Sequence, residues 1–228
     1  FGGFGGVKLT ESGSYIAKYN SNGSLIWAKE IDGDESTGIA INASDKIYAT
    51  GYYTGTAYFG TDTLSSNDFF VNDIYLVQMD TSGAVQWARS YGGSDWEYCN
   101  DVAVDQNNNA FITGEFQGEM TIGDSTLMPV GFNDFFVAKI NALGVDEWAT
   151  SAGGSYADKA HSIDVNTNGD VIVIGDYGQI DQNMFLAKYN GVTGSNLWFN
   201  QVPGEAGSEV SGNSVHVSRN GLIHATGS

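Results

Sequence analysis

Apolar and polar residues alternate in short runs along this chain, and the runs end at turn-forming residues. "GIAIN", "DVAVD", "SIDVN" and "SVHVS" show the period of two expected of strands whose two faces differ. No segment sustains the 3.6-residue period of a helix, so an all-β fold is predicted.

The pattern also repeats. One block reads "AKYNSNGSLIW", "VQMDTSGAVQW", "AKINALGVDEW" and "AKYNGVTGSNLW", ending on Trp27, Trp87, Trp148 and Trp198 and turning at Gly23, Gly83, Gly144 and Gly194. The other reads "GIAINASDKIYATG", "DVAVDQNNNAFITG", "SIDVNTNGDVIVIG" and "SVHVSRNGLIHATG". Its turns carry Asp45, Asn108, Gly169 and Gly221 at one fixed position, residue types that tolerate a left-handed backbone. Both blocks read as β-hairpins, so lysine, glycine and tryptophan at fixed offsets are hairpin grammar and not chemistry, and the four tryptophans are expected to be largely buried at equivalent positions against neighbouring sheets.

Two hairpins per period make a four-stranded antiparallel sheet that cannot bury both faces alone. Ring-wise stacking of such sheets is a β-propeller, here with four blade-equivalents. With strands lettered A to D from the axis outward, a C–D hairpin is expected at 14–31. Full blades follow at about 37–91, 99–151 and 160–202, then an A–B hairpin at 212–228, all within a single domain. Gly5 to Leu9 keeps the spacing of Gly60 to Leu64 and Gly123 to Leu127, as a spliced blade would. The chain's ends are therefore expected to meet, Tyr15–Tyr19 pairing with Ile223–Thr226. The competing reading is an arc cut from a larger ring.

The stretch "NDVAVDQNNNAFITG…NDFFVAKINALGVDEWATSAGG" (100–154) resembles the bacterial β-propeller repeat family often labelled SBBP, with its pattern "SxxxxIxVDxxGNxYVTG…DxFVAKxDxxGxxxWxxxxGG". The resemblance implies a propeller in a secreted or surface-exposed bacterial protein and no single activity. The last copy, "YNGVTGSNLW", also resembles the tryptophan-docking repeat of quinoprotein-type propellers, without that family's cofactor ligands.

Charge narrows the partners. Lys and Arg number 9 against 27 Asp and Glu, a net −18, which excludes a nucleic-acid footprint and disfavours anionic membranes. No apolar run is long enough to enter a bilayer as a helix, and the chain is read as part of a longer polypeptide. Cys99 is the sole cysteine and reads as a small packed residue.

The regular turns fall on one face of the ring, here called the bottom, and the irregular segments on the top. These are 32–38, 92–101, 153–162 and 204–214, with B–C loops at 54–73, 117–134 and 178–183. Asp34, Glu35, Asp95, Trp96, Glu97, Tyr98, Tyr156, Asp158 and Glu209 are the candidate ligand-binding residues, since aromatic faces beside carboxylates suit a glycan or a protein segment. The bland alternative is that acidic loops only solubilise the ring. No catalytic set can be assembled: His161, His216 and His224 are scattered, and abundant carboxylates make chance pairs common. No cofactor is expected. Calcium is the alternative weighed, but an EF-hand counted from Asp105 would put Ala110 and Phe116 where Gly and Glu belong, and "DGDE" (32–35) is too short to complete a shell. A non-catalytic extracellular binding or scaffold module is the reading. A ligand-free spacer and an enzyme, hydrolase or quinoprotein-like, stay open beside it.

Overall fold

The structure is a computed structural model that describes residues 14–178, 183–205 and 210–228. A two-stranded hairpin, β1 (Ser14–Tyr19) and β2 (Leu25–Ile31), comes first. The first full blade contains β3 (Glu35–Ile41), β4 (Ile47–Tyr53), a small hairpin of β5 (Thr56–Phe59) and β6 (Asp62–Ser65), β7 (Asp73–Met79) and β8 (Val85–Gly93). The second repeats this order as β9 (Glu97–Val104), β10 (Ala110–Phe116), β11 (Met120–Ile122), β12 (Ser125–Leu127), β13 (Asp134–Ile140) and β14 (Asp146–Ala152). The third contains β15 (Lys159–Val165), β16 (Val171–Tyr177), β17 (Asn183–Tyr189) and β18 (Asn196–Val202), and β19 (Gly212–Val217) with β20 (Ile223–Gly227) forms a final hairpin. Each full blade is an antiparallel meander, β3-β4-β7-β8, β9-β10-β13-β14 and β15-β16-β17-β18. In addition β11 adds to the outer strand β8 of the preceding blade, Met120 opposite Gly93, so the second blade's small hairpin clasps the first. The chain is thus all-β, built of propeller-like antiparallel repeats.

The bottom turns share one mechanism. Asp105 Oδ1 accepts from the backbone N–H of Asn107 (2.8 Å) and Asn109 (2.9 Å), and Asn166 Oδ1 does the same for Asn168 and Asp170, both 2.9 Å. Such a side chain closes the turn only if the next-but-two residue goes left-handed. Asp45 (φ 57°) and Asn108 (φ 68°) do so, as do Gly169 and Gly221 (both φ 83°). In "DQNNN" both Asp105 oxygens bond within the turn, Oδ1 to the backbone and Oδ2 to Asn109 Nδ2 at 2.8 Å.

Between blades the core is apolar from both sides. Tyr48, Ile74 and Leu76 of the first blade interdigitate with Val102, Ile112 and Phe136 of the second. Phe111, Phe135 and Val137 of the second do so with Ile163, Val173 and Phe185 of the third. Farther out, the tryptophan of one blade seats on the C–D turn glycine of the next. A Cβ at Gly83, Gly144 or Gly194 would lie 3.0, 2.9 or 2.8 Å from the rings of Trp27, Trp87 and Trp148. Trp27 Nε1 donates to Thr81 O (3.2 Å), Trp148 Nε1 to Gly191 O (3.3 Å), and Arg89 Nε to Gly144 O (2.6 Å).

Three expectations need correction. The tryptophans are not uniformly buried: Trp87 is, whereas Trp27 and Trp148, each seated on one turn from the outermost strand, and Trp198, which meets no described turn glycine, are half-buried. The B–C loops are not wholly irregular, since β5–β6 and β11–β12 lie within them. The ring is not closed: β1 pairs only with β2 and β20 only with β19. Interblade contact is spent on successive A strands, which sit side by side from β3 to β9, β15 and β19, and it does not carry from β19 back to β3. Gly5 to Leu9, invoked for the splice, lies outside the described residues.

The seating of tryptophan on glycine is testable. Gly169 and Gly194 share a left-handed backbone, so alanine at either costs about 1–2 kcal/mol of backbone strain. At Gly194 the methyl also meets Trp148, while at Gly169 it meets nothing within 4 Å. Urea denaturation should show Gly194→Ala the more damaging by a further ~1–2 kcal/mol. Equal losses would mean the contact does not hold the blades.

Candidate functional site

The loops that enter the A strands and the B–C loops converge on the top face through named contacts. Thr54 Oγ1 donates to Asp34 Oδ2 (2.9 Å), Gln117 N to Trp96 O (2.9 Å), and Glu97 N to Asn72 O (3.0 Å). Asn133 bridges to Ala157 one blade on, and a Cβ at Gly131 would collide with the 154–156 backbone.

Across the junction of the first two blades runs a row of aromatic rings. Trp96, 39% exposed, stacks on Tyr98 with centroids 6.3 Å apart and planes 9° from parallel. Tyr98 meets Tyr52 edge-on at 5.0 Å. The Tyr52 hydroxyl donates to the Glu35 carboxylate, which holds the phenol's proton and pushes its pKa up to about 12. Asp34, Glu35 and Asp95 lie exposed around this shelf. Its basic neighbour Lys159 is committed to Glu115 at 3.0 Å, and Asn133 also donates to Glu115.

The remaining candidates fall elsewhere. Tyr156 is 38% exposed on the next loop, at the following blade junction. Glu97 and Asp158 are fully buried and present nothing to a surface ligand. Glu209 lies outside the described residues. Asp158 is a brace: its two oxygens accept from Gly154 N and Gly178 N, both 2.6 Å, which ties two top loops together. Asp134 Oδ2 likewise holds the loop at Val130 N (3.0 Å) and Asp73 Oδ2 the loop at Asn67 N (3.3 Å). Glu97 takes the position of Asp158 one blade earlier, and although the Gly93 amide lies near enough to favour its ionised form, neither carboxylate oxygen makes a well-aligned hydrogen bond. Burial therefore drives its pKa up to about 8, with Asp73 and Asp95 adding repulsion.

Sequence reasoning passed over Tyr52, Phe69, Phe70, Val130 and Phe132. Phe69 and Phe70 stand at the tip of the first B–C loop, and Val130 and Phe132 at the matching tip of the second, all highly exposed. The available signal was the break in alternation at "DFFVND" and "PVGFND", aromatic runs where a solvated loop needs none. Beside the second loop a cleft of about 420 Å³ is lined by Met128, Val130, Tyr177 and Phe199. A more polar cleft of about 350 Å³, lined by Glu30, Asp32, Asp34 and Tyr58, separates β2 from β5. Cys99 is fully buried and its thiol is pushed up to about 12 by burial, so it is no nucleophile. His161 pairs with buried Asp176 (2.9 Å) and His216 with Asp164 (2.9 Å), each away from the shelf. Among the described residues, no cluster of three or more His, Cys, Asp and Glu is arranged to hold a metal ion.

A rigid array of propeller-like blades with variable loops on one face defines a scaffold suited to binding or interaction. No family model matches the chain. It is similar to an uncharacterized WD repeat-containing protein of Acanthamoeba polyphaga mimivirus, 28% identical over 173 residues. That match covers 65% of this chain and only 12% of the relative's length. Among solved structures, the Dos1 propeller aligns over 92% of this chain and 56% of its own, at 9% identity and a TM-score of 0.38.

The buried carboxylate sets a pH dependence. Glu97 has a folded-state pKa raised from 4.5 to about 8, so the folded chain binds its proton more tightly than the unfolded chain does. The stabilisation is present in full below about pH 4.5 and is lost as pH rises through 8. Asp73, raised to about 6, acts in the same direction but is spent by pH 7. Between pH 7 and 8 the urea midpoint should fall in the wild type and stay nearly flat in Glu97→Gln. Parallel curves would place the ionised carboxylate in an environment that solvates it.

Proposed function

We propose that the chain is a non-catalytic binding module, taking a protein segment on the aromatic shelf of Tyr52, Tyr98 and Trp96. The half-exposed Trp96 carries the reading. A stacked indole left open among carboxylates offers apolar area and hydrogen-bond acceptors together, the pattern of a recognition surface. Phe69 and Phe70 favour a protein segment over a glycan, because exposed aromatic knobs at a loop tip suit apolar side chains. The repeat pattern supports membership of the SBBP-type family and an extracellular or cell-surface setting in a bacterium. No cofactor takes part in this reading.

Two variants test it against a displayed peptide library and a glycan panel. Trp96→Ala and Phe70→Ser should each weaken the selected peptides at least 10-fold, with melting unchanged within about 2 °C, since surface changes of this kind cost under ~0.5 kcal/mol. Retention of glycans alone, lost in Trp96→Ala, would replace the protein segment with a sugar. Binding indifferent to both variants would move the function off this face and leave the spacer reading.

A further inference from the structure

At two blade junctions the chain tucks a small hairpin between neighbouring outer strands, and at the junction of the second and third blades it does not. β5–β6 carries Ala57, Phe59 and Leu64, buried in one cluster with Ile31 and against Trp27 of the preceding hairpin. β11–β12 carries Met120, Ile122 and Leu127, buried in one cluster with Trp87 and Tyr91 of the first blade. Each comes from a B–C connection, residues 54–72 in the first blade and 117–133 in the second. In the third blade that connection is only 178–182, too short for a hairpin the length of Met120–Leu127.

The cleft of about 420 Å³ stands at the place such a hairpin would take. Its walls match position for position. Ala152 on β14 corresponds to Tyr91 on β8, through the pairs Phe135–Ala152 and Ile74–Tyr91. Tyr177, Tyr189 and Phe199 correspond to Phe116, Ile140 and Ala149, which pack with Met120, Ile122 and Leu127 one junction earlier. Met128 and Val130 form its rim, 59% and 74% exposed. The backbone is open there as well. β8 runs on to Gly93, where β11 adds to it with Met120 opposite Gly93 and Thr121 opposite Gly92. β14 stops at Ala152, short of the matching Gly153 and Gly154, and among the described residues it pairs only with β13. Each small hairpin also caps an amide of its own blade's outer strand: Asp62 Oδ2 accepts from Ala88 N (2.8 Å) and Ser125 Oγ from Ala149 N (3.3 Å). Phe199 N holds that place on β18, and among the described residues it meets no such acceptor.

We propose that this cleft takes a β-hairpin from a partner protein, selected by the grammar of the chain's own two. "AYFGTDTL" (57–64) and "MTIGDSTL" (120–127) share apolar residues at the first, third and last places, glycine after the third, and an oxygen-bearing side chain two residues beyond that glycine. The partner's first strand adds to the edge at Gly153–Gly154 as β11 adds to Gly92–Gly93, and its apolar residues extend the core that Tyr177 and Phe199 already join. The oxygen-bearing residue accepts from Phe199 N. Asp134 is the charged residue among the walls and the chain carries a net −18, so lysines flanking the partner hairpin strengthen the complex. The cleft opens between outer strands, away from the aromatic shelf; the proposal goes beyond the shelf reading and does not rest on it.

The probe is a disulfide-closed hairpin with the sequence of residues 120–127 between lysines, closed because a free hairpin is marginally stable in water. Titrated into the isotope-labelled chain up to about 1 mM, it should shift the amide signals of Gly153 and Phe199. Ala152→Asp sets a carboxylate in the cleft, solvated while the cleft is open and stranded once it fills. Met128→Asp does the same at the exposed rim, where folding is not at stake. Each should weaken the probe about 10-fold or more, and a probe with aspartate in place of its third residue should not bind. Trp96→Ala should leave the affinity unchanged, which separates this cleft from the shelf. Absence of any shift at about 1 mM overturns the proposal, as does equal binding by wild type and both aspartate variants. Binding lost in Trp96→Ala and kept in Met128→Asp overturns it too, since the hairpin would then sit on the shelf.

Discussion

Each four-stranded sheet here is apolar on both faces, and a single sheet has water on at least one. That constraint organises the molecule. Phe111 looks one way from β10 into the third blade, while its neighbour Ile112 looks the other way into the first. Because consecutive residues of a strand point to opposite sides, a strand buried on both faces shows a continuous apolar run. "AFITGEF" and "VIVIGDY" do so. No blade is a folding unit by itself under this constraint, and stability is shared between neighbours as in other repeat arrays.

Stacking sheets face to face leaves backbone groups at their inner edges with no strand to pair with. Polar side chains fill that role. Asp101 accepts from Ser162 Oγ (2.9 Å) and Ile163 N (3.0 Å) of the next blade, and Asp164 accepts from Val217 N at 2.6 Å. Thr37 and Asn100, at successive A-strand bulges, donate to Cys99 O and Ala160 O across the same gaps. On the top face Asp73, Asp134 and Asp158 hold loop amides in the same way. Much of an acidic composition that reads as solubilising is therefore structural, and desolvation raises several of these carboxyls. Glu97 carries one more methylene than Asp158, and beside the Gly93 amide its oxygens make no well-aligned bond of the kind Asp158 makes twice. A brace has become a buried acid.

Hairpins and turns were legible because their signals are local: a turn acceptor, a left-handed residue three positions on, alternation either side. The small hairpins β5–β6 and β11–β12 escaped because strands of three or four residues carry too few alternations to show a period. Tryptophan at a fixed offset implied deep burial, but offset reports strand position only. The outermost strand has just one neighbour to press against, so Trp148 ends half-covered over Gly194. Asp95, Trp96, Glu97 and Tyr98 look alike as a loop cluster, yet the structure puts Trp96 at the surface and Glu97 beneath it. What separates them is that Glu97 turns inward beside Asp73, a residue distant in sequence, while Trp96 stacks outside on Tyr98.

The proposed binding surface falls on the top face for a reason rooted in hydrogen bonding. Seven of the eight described bottom turns are closed by their own first residue: Asn20, Asn42, Asp80, Asp105, Asn141, Asn166 and Asn190 each accept from the amides that follow, while Ser218 opens the eighth by donating to Leu222 O. A longer or differently built turn there would orphan those amides, so length and composition barely vary from blade to blade. The top loops are closed instead by carboxylates reaching in from the ends of strands, as Asp158 does for Gly154 and Gly178. Such a brace fixes the base of a loop and leaves its tip unspecified. The tips can accordingly carry Trp96, Phe70 or Phe132 without disturbing a single strand pair, and recognition can change there while the blades beneath stay the same.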